Sequence, residues 1–349
     1  MAQSRQIAIC GAFDMRNFGD LLFPVLAQER LAPLGFQVTA HAPTTSDPGL
    51  GLAPPRSVSD LSDPDLELDG ILIGGGYIIH TQPISALVHL QGGNATQATS
   101  DLADCWAGAS LAGLVRDLPV AWNAPGVPFP FTSGQKPVIA LLAQMADYFS
   151  LRDAGSARLM EVAGDHTPAI VPDPVAELSR LWPVRNLKPV AADFRARTEL
   201  NPDQPILAIH IRDRSLSGLG AETLGRMISE FCDAQGLFPV LMGLGQAHDD
   251  GTTARLVAQT ITVPHLVYDA PRSLTEMAAV LATARAYVGA SLHGYIAATS
   301  YGVPSALVAR PGYGKFAGFG VGFISGNTLK VKYLVFDFLP FSVKYQYTM

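Results

Sequence analysis

Two short stretches hold side chains able to carry charge or protons inside otherwise apolar runs. In AIHIRDRS, residues 208–215, His210 and Arg212 alternate with Ile209 and Ile211. Alternate residues of a strand share a face and stand about 6.6 Å apart, so these two can line one pocket. A guanidinium offers forked donors matched to phosphate or carboxylate, and Asp213 beside it could orient the fork. The plainer alternative is a surface ion pair at a strand end. In GASLHGYIAATSYGVPSALVA, residues 289–309, His293 stands alone among apolar and small residues. A buried imidazole costs free energy unless its nitrogens are satisfied, so His293 is either a satisfied core residue or the mark of a helix start beside a pocket. AYVGA reads as a strand, Ser291 as an N-cap and HGYIAATSYG as a helix. That places His293 in the first helical turn, beside open N–H groups and the positive end of the macrodipole. Such a place suits an anion, and an imidazole there can transfer a proton near neutral pH.

Weaker candidates lie in the first half. GAFDMRNFGD, residues 11–20, sits between a strand and a helix but lacks GxGxxG spacing, which disfavours a dinucleotide site. Asn17 or Asp20 can cap the helix, and with Gly19 this stretch serves equally as a capped turn or as a ligand-facing loop. ILIGGGYIIH ends a buried strand in Gly74, Gly75 and Gly76, whose N–H groups could cradle an oxyanion or simply make a tight connection. SLRD and PDP supply Arg152, Asp153 and Asp173 at strand ends, where ion pairing with each other, capping or a turn explains them without a ligand.

The elements that position these residues alternate as strand and helix. QIAICGA, GDLLFPVLAQERLAPLG, FQVTAHAP, GILIGGG and PVAWNAP give the βαβ rhythm of a parallel sheet, with Gly35 closing the first helix. Residues 184–204, rich in Arg, Pro and polar side chains, read as a linker. PILAIHIR onward repeats the rhythm to about VPSALVA, the pattern of a second doubly wound domain. The expected layout is a first domain over 1–183, a linker over 184–204, a second domain over 205–319 and an atypical β-rich tail over 320–349. At 349 residues two domains are the better prior.

Composition narrows the function classes. Hydrophobic residues at 48% and charged residues at 15% exclude a largely disordered chain. A net charge of -6 leaves no basic footprint for nucleic acid, so an anionic ligand needs a local cluster of donors. Cys10, Cys105 and Cys232 lack CxxC spacing, indicating neither a disulfide framework nor a zinc site, and no other metal-ligand spacing stands out. The N-terminal MAQSRQIAICGAFD lacks the layout of a signal peptide, and no apolar run is long enough to span a membrane, so a cytoplasmic location is expected.

Taken in order, NFGD, IGGG, SLRD, PDP, HIRD, SLHGYIAATSYGVPSALV and YGKFAGF resemble the polysaccharide pyruvyl transferase family over residues 7–319. The resemblance implies an α/β fold of two Rossmann-like doubly wound domains facing across a cleft, as in B-type glycosyltransferases. It implies phosphoenolpyruvate as donor, no separate cofactor, and as acceptor a sugar of a cell-surface polysaccharide or of its lipid-linked precursor. The latter is compatible with peripheral association at the inner face of the cell membrane. In this scheme His293 and Arg212 are catalytic. His210, Arg214, Ser291 and Lys315 bind the donor, while Asn17, Gly19, Asp20, Gly74, Gly75 and Gly76 form the acceptor side. Arg152, Asp153 and Asp173 support them, and no metal is required. Many family members carry arginine where this chain has Ser291, which passes the grip on the donor carboxylate to Arg212, Arg214 or Lys315. A sugar-nucleotide glycosyltransferase and a non-catalytic subunit of a polysaccharide pathway are the competing readings.

Overall fold

The computed structural model describes residues 5–81, 101–160, 167–213, 220–245, 250–308, 321–325 and 328–331. The chain forms two compact units. The first holds Met1–Pro183 with Gly245–His248 and Pro271–Thr275, and the second holds the rest from Val184 onward.

In the first unit the strands are β1 (Arg5–Cys10), β2 (Phe36–Ala42), β3 (Arg56–Ser57), β4 (Gly70–Gly74), β5 (Val120–Asn123), β6 (Tyr148–Leu151) and β7 (Ala169–Ile170). They pair in parallel in the order β3-β2-β1-β4-β5-β6-β7. The helices are α1 (Phe18–Leu31), α2 (Ala107–Val115), α3 (Lys136–Gln144), α4 (Ala154–Met160) and the short α5 (Leu178–Leu181). Helix α1 buries Phe18, Leu21, Leu22 and Leu26, a helical-period stripe. Its chain then tightens through Ala32–Leu34 and turns at Gly35, whose φ of 82° needs a residue without a Cβ.

The second unit has β8 (Ile206–His210), β9 (Phe238–Met242), β10 (Leu266–Tyr268), β11 (Ala286–Gly289), β12 (Ser305–Val308), β13 (Val321–Ser325) and β14 (Thr328–Val331). Their order is β10-β9-β8-β11-β12-β13-β14, parallel except for the β13–β14 pair. Its helices are α6 (Val184–Arg197), α7 (Gly220–Gln235), α8 (Asp250–Ala258), α9 (Leu274–Thr283) and α10 (Leu292–Ser300). Each sheet therefore winds one way from its first strand and the other way from its fourth. The strand ends diverge between β1 and β4 and again between β8 and β11, the places where open α/β sheets bind ligands.

Two expectations change. Residues 184–204 are not a plain linker, because α6 occupies 184–197 and belongs to the second unit. It buries Leu187, Ala191 and Phe194 at helical spacing, and the Phe194 ring meets Tyr268 edge-on at 4.9 Å. Of the tail expected over 320–349, the described residues 321–325 and 328–331 form β13 and β14, which extend the second sheet at its edge. Residues 332–349 lie outside the described residues. Among the described residues no helix is long and apolar enough to cross a membrane.

Packing in the first unit centres on aromatic rings. Trp122 meets Trp106 at 5.9 Å and Phe149 at 5.5 Å, both edge to face. Its indole donates to Ser110 Oγ at 3.1 Å, and the Trp106 indole donates to the His80 carbonyl at 3.1 Å, so neither buried N–H is orphaned. Trp122→Ala is expected to cost about 3–5 kcal/mol, read as an earlier urea transition of the first unit. An unchanged midpoint would show that the surrounding rings close the gap.

Candidate functional site

The second unit gathers its polar residues where β8 and β11 diverge. Gly289 pairs in register with His210, and Ala290 N–H donates to the His210 carbonyl at 3.1 Å. The strand end after β8 and the start of α10 are thus fixed side by side. Ser291 is extended at φ −89°, ψ 120°, and its Oγ accepts from Gly294 N–H at 3.2 Å. That is an N-cap, and Leu292, His293 and Gly294 form the first turn behind it. His293 is 9% exposed, closer to buried than a pocket-lining residue on an open surface would be.

Tyr287 locks this turn from below. Its hydroxyl donates to the Ser291 carbonyl at 3.2 Å, and burial pushes the phenol well above its ordinary range, so it stays a donor. Gly294 lies against the Tyr287 hydroxyl and Leu244, where a Cβ would overlap both. Only glycine fits that contact.

His210 and Arg212 do not present two open side chains to a pocket as the strand pattern suggested. The strand ends at His210, whose side chain is fully buried, and Asp250 reaches both residues. His210 Nε2 lies 2.7 Å from Asp250 Oδ2, and Arg212 Nε donates to Asp250 Oδ1 at 3.1 Å. A carboxylate only accepts, so Nε2 carries the imidazole proton. Arg212 keeps 13% of its side chain exposed while Asp250 keeps none. Asp250 escaped the sequence reading: an acidic residue opening a helix is a visible signal, but its partners lie 38 and 40 positions away. Arg214 and Lys315, expected beside this site, lie outside the described residues.

In the first unit the expected residues also gather at strand ends. Asn17 caps α1, its Oδ1 accepting from Gly19 N–H at 3.2 Å, with Asp20 in the first turn. Gly75 and Gly76 follow β4 with φ of 104° and 65°. A Cβ on Gly76 would stand 2.5 Å from Asp20 Oδ1, which brings the glycine turn and the start of α1 together where β1 and β4 diverge. Asp14, not singled out in the sequence, is buried nearby. Burial pushes its carboxyl up, against the lowering effect of the Thr44 hydroxyl and amide that donate to Oδ2 at 2.7 and 3.0 Å.

Arg152, Asp153 and Asp173 form a buried cluster. The Arg152 side chain is fully buried, donates to Asp173 Oδ2 at 3.1 Å, lies 3.7 Å from Asp153 Oδ2 and stacks 3.5 Å from the Tyr77 ring centre. Asp173 also accepts from Val175 N–H and Asp153 from Ser156, so both cap turns. The cluster braces loops and has no exposed donor to offer. Among the described residues no group of three His, Cys, Asp or Glu could hold a metal.

Comparison with known proteins separates fold from family. The family model for polysaccharide pyruvyl transferase matches residues 17–311. The chain belongs to the polysaccharide pyruvyl transferase family. It is therefore a transferase by family, and the matched span takes in the start of α1 and the glycine turn after β4 in the first unit and β8, β11 and α10 in the second. No curated protein sequence matches the chain. Among solved structures, the UDP-GlcNAc 2-epimerase of Methanocaldococcus jannaschii is similar at a TM-score of 0.55 and 11% identity, over 93% of this chain and 89% of that one. The UDP-GlcNAc 2-epimerase of Neisseria meningitidis, solved bound to UDP-GlcNAc, is similar at 0.50 and 12%, over 88% and 84%. At such identities the likeness concerns the fold, an α/β pair of Rossmann-like units.

In this pyruvyl transferase family member Ser291 is foremost a cap. Ser291→Ala is expected to lower stability by about 1 kcal/mol in urea unfolding, with Ser291→Asp close to wild type. Equal stability of all three would contradict the cap.

Proposed function

We propose that the protein transfers the enolpyruvyl group of phosphoenolpyruvate to two hydroxyls of a sugar in a cell-surface polysaccharide or its precursor. A pyruvate ketal and inorganic phosphate are the products. The observation that carries this reading is that the strand end leading to a held arginine, Arg212, is fixed beside the lead-in to the N-terminal turn of α10 bearing His293, through the Ala290 N–H bond to the His210 carbonyl, in a chain of this family. Both are suited to anions: forked donors on one side, helix N–H groups and positive dipole on the other.

The chemistry assigns the parts. C3 of the donor takes a proton, one sugar hydroxyl bonds to C2 and loses its own proton, and the C2–O bond to phosphate breaks. A second hydroxyl then bonds to C2 and gives up its proton, closing the ring. One of the two released protons replaces that spent at C3, and the other leaves on phosphate as hydrogen phosphate. His293 supplies or steadies the proton transfer. Arg212 and the first turn of α10 hold phosphate or carboxylate as C2 develops positive charge and phosphate departs. Ser291 contributes through the turn it caps, and the motif residues Arg214 and Lys315 add cations to the donor side. Asn17, Gly19, Asp20 and the Gly74–Gly76 turn are proposed to bind the acceptor. The donor brings both the transferred group and its leaving group, so the scheme calls on no further cofactor. A lipid-linked acceptor would bring the enzyme to the inner face of the cell membrane.

The test is incubation with phosphoenolpyruvate, UDP-sugars and candidate oligosaccharides, following phosphate release and acceptor mass. The expected result is acceptor-dependent phosphate release with a pyruvate-sized mass gain; consumption of a UDP-sugar instead would overturn it. His293→Ala and Arg212→Ala should each lower kcat by roughly 10²-fold or more with circular dichroism unchanged. Full turnover in His293→Ala would remove that residue from the chemistry.

A further inference from the structure

We infer that Asp250 is the positioning residue of the anion site, aiming Arg212, and that His210 serves to hold Asp250 and does not contact ligand. The identity of the anion rests on the proposed function; the coupling of Asp250 to Arg212 rests on this chain's geometry alone.

Three observations combine. First, the Asp250 side chain is fully buried, and a buried carboxylate persists only when paired and hydrogen-bonded. Its two oxygens are divided between His210 Nε2 and Arg212 Nε, and it opens α8, whose first-turn N–H groups favour negative charge. Second, His210 has no exposed side-chain surface, whereas Arg212 does. His210 ends β8, the strand paired to β11, so it transmits the position of the sheet to Asp250. Third, the bond to Asp250 uses the Arg212 Nε–H, which leaves the four N–H donors of the two terminal nitrogens for other partners. An arginine side chain has many rotamers to lose, and tethering Nε fixes the plane of the fork before an anion arrives.

The pair also has a characteristic electrostatic effect. Asp250 offsets part of the charge of Arg212, so it improves geometry at some expense of raw attraction. Its loss should therefore depress kcat without raising donor KM, which a simple loss of fold or of binding would not do.

Steady-state kinetics on Asp250→Ala, Asp250→Asn and their combinations with Arg212→Ala test this, with concentrations corrected for folded protein. Asp250→Ala should lower kcat at least roughly tenfold with donor KM unchanged or lowered, and Asp250→Asn, which keeps one acceptor oxygen, should recover most of it. In the Arg212→Ala background neither substitution should change kcat by more than about twofold. Unchanged kcat in Asp250→Ala, or equal losses with and without Arg212, would overturn the inference while leaving the proposed function standing. Calorimetric titration with inorganic phosphate provides an arm that needs neither turnover nor the alanine variant. Asp250→Asn should lower the phosphate Kd at least roughly threefold when Arg212 is present and change it less than twofold when it is alanine. That result without any phosphoenolpyruvate turnover would keep the inference and sink the proposed function. Equal shifts in both backgrounds, or no phosphate binding by the wild type, would overturn the inference.

Discussion

The candidate site of the second unit depends on one backbone constraint, the parallel pairing of β8 with β11 at the point where the chain reverses its winding. The register sets Gly289 opposite His210, and the Ala290 N–H bond to the His210 carbonyl continues the ladder one step past the strand. From that step the two chains separate, one toward Arg212 and the other into the capped start of α10. The small residues are a consequence of the same closeness. A Cβ on Gly289 would come within 2.7 Å of the His210 Cβ, so the two strand ends can approach only because that side chain is missing.

The two buried arginine clusters show how environment decides role. Arg152 faces two carboxylates, stacks on Tyr77 and has no exposed side-chain surface, which makes it a brace. Arg212 shares a single carboxylate with a histidine and keeps a partly exposed side chain. Breaking either pair would leave a buried charge uncompensated, at a cost of several kcal/mol, so burial alone does not separate structure from function. Exposure does. On that measure the first unit offers a glycine turn beside the start of α1, and the second offers a directed cation two residues past the strand end that is bonded to the lead-in of α10.

Much of this was legible in the sequence because it rests on local rules. The Ser291 cap, the Gly35 stop and the βαβ alternation follow from residue type and period. Residues 184–197 misled because Pro189 and a high charge content masked the Leu187, Ala191, Phe194 stripe. Strand periodicity pairs His210 with Arg212 on one face, yet the strand ends at His210, and Asp250, which joins the two, does not show in that periodicity. Asp250 is joined to them only by the winding of the sheet, which carries the chain from β9 to the start of α8, and no local pattern encodes that meeting. The same holds for Asp14 and Thr44, brought together at 2.7 Å across 30 positions.

In the proposed reaction an anionic donor binds at the divergence of β8 and β11. A crystal structure with phosphoenolpyruvate bound tests it most directly. Phosphate or carboxylate oxygens are expected within hydrogen-bond distance of the Arg212 terminal nitrogens and of the first turn of α10, with Arg212 still bonded to Asp250. Donor density elsewhere in the chain, with Arg212 and α10 unoccupied, would contradict it.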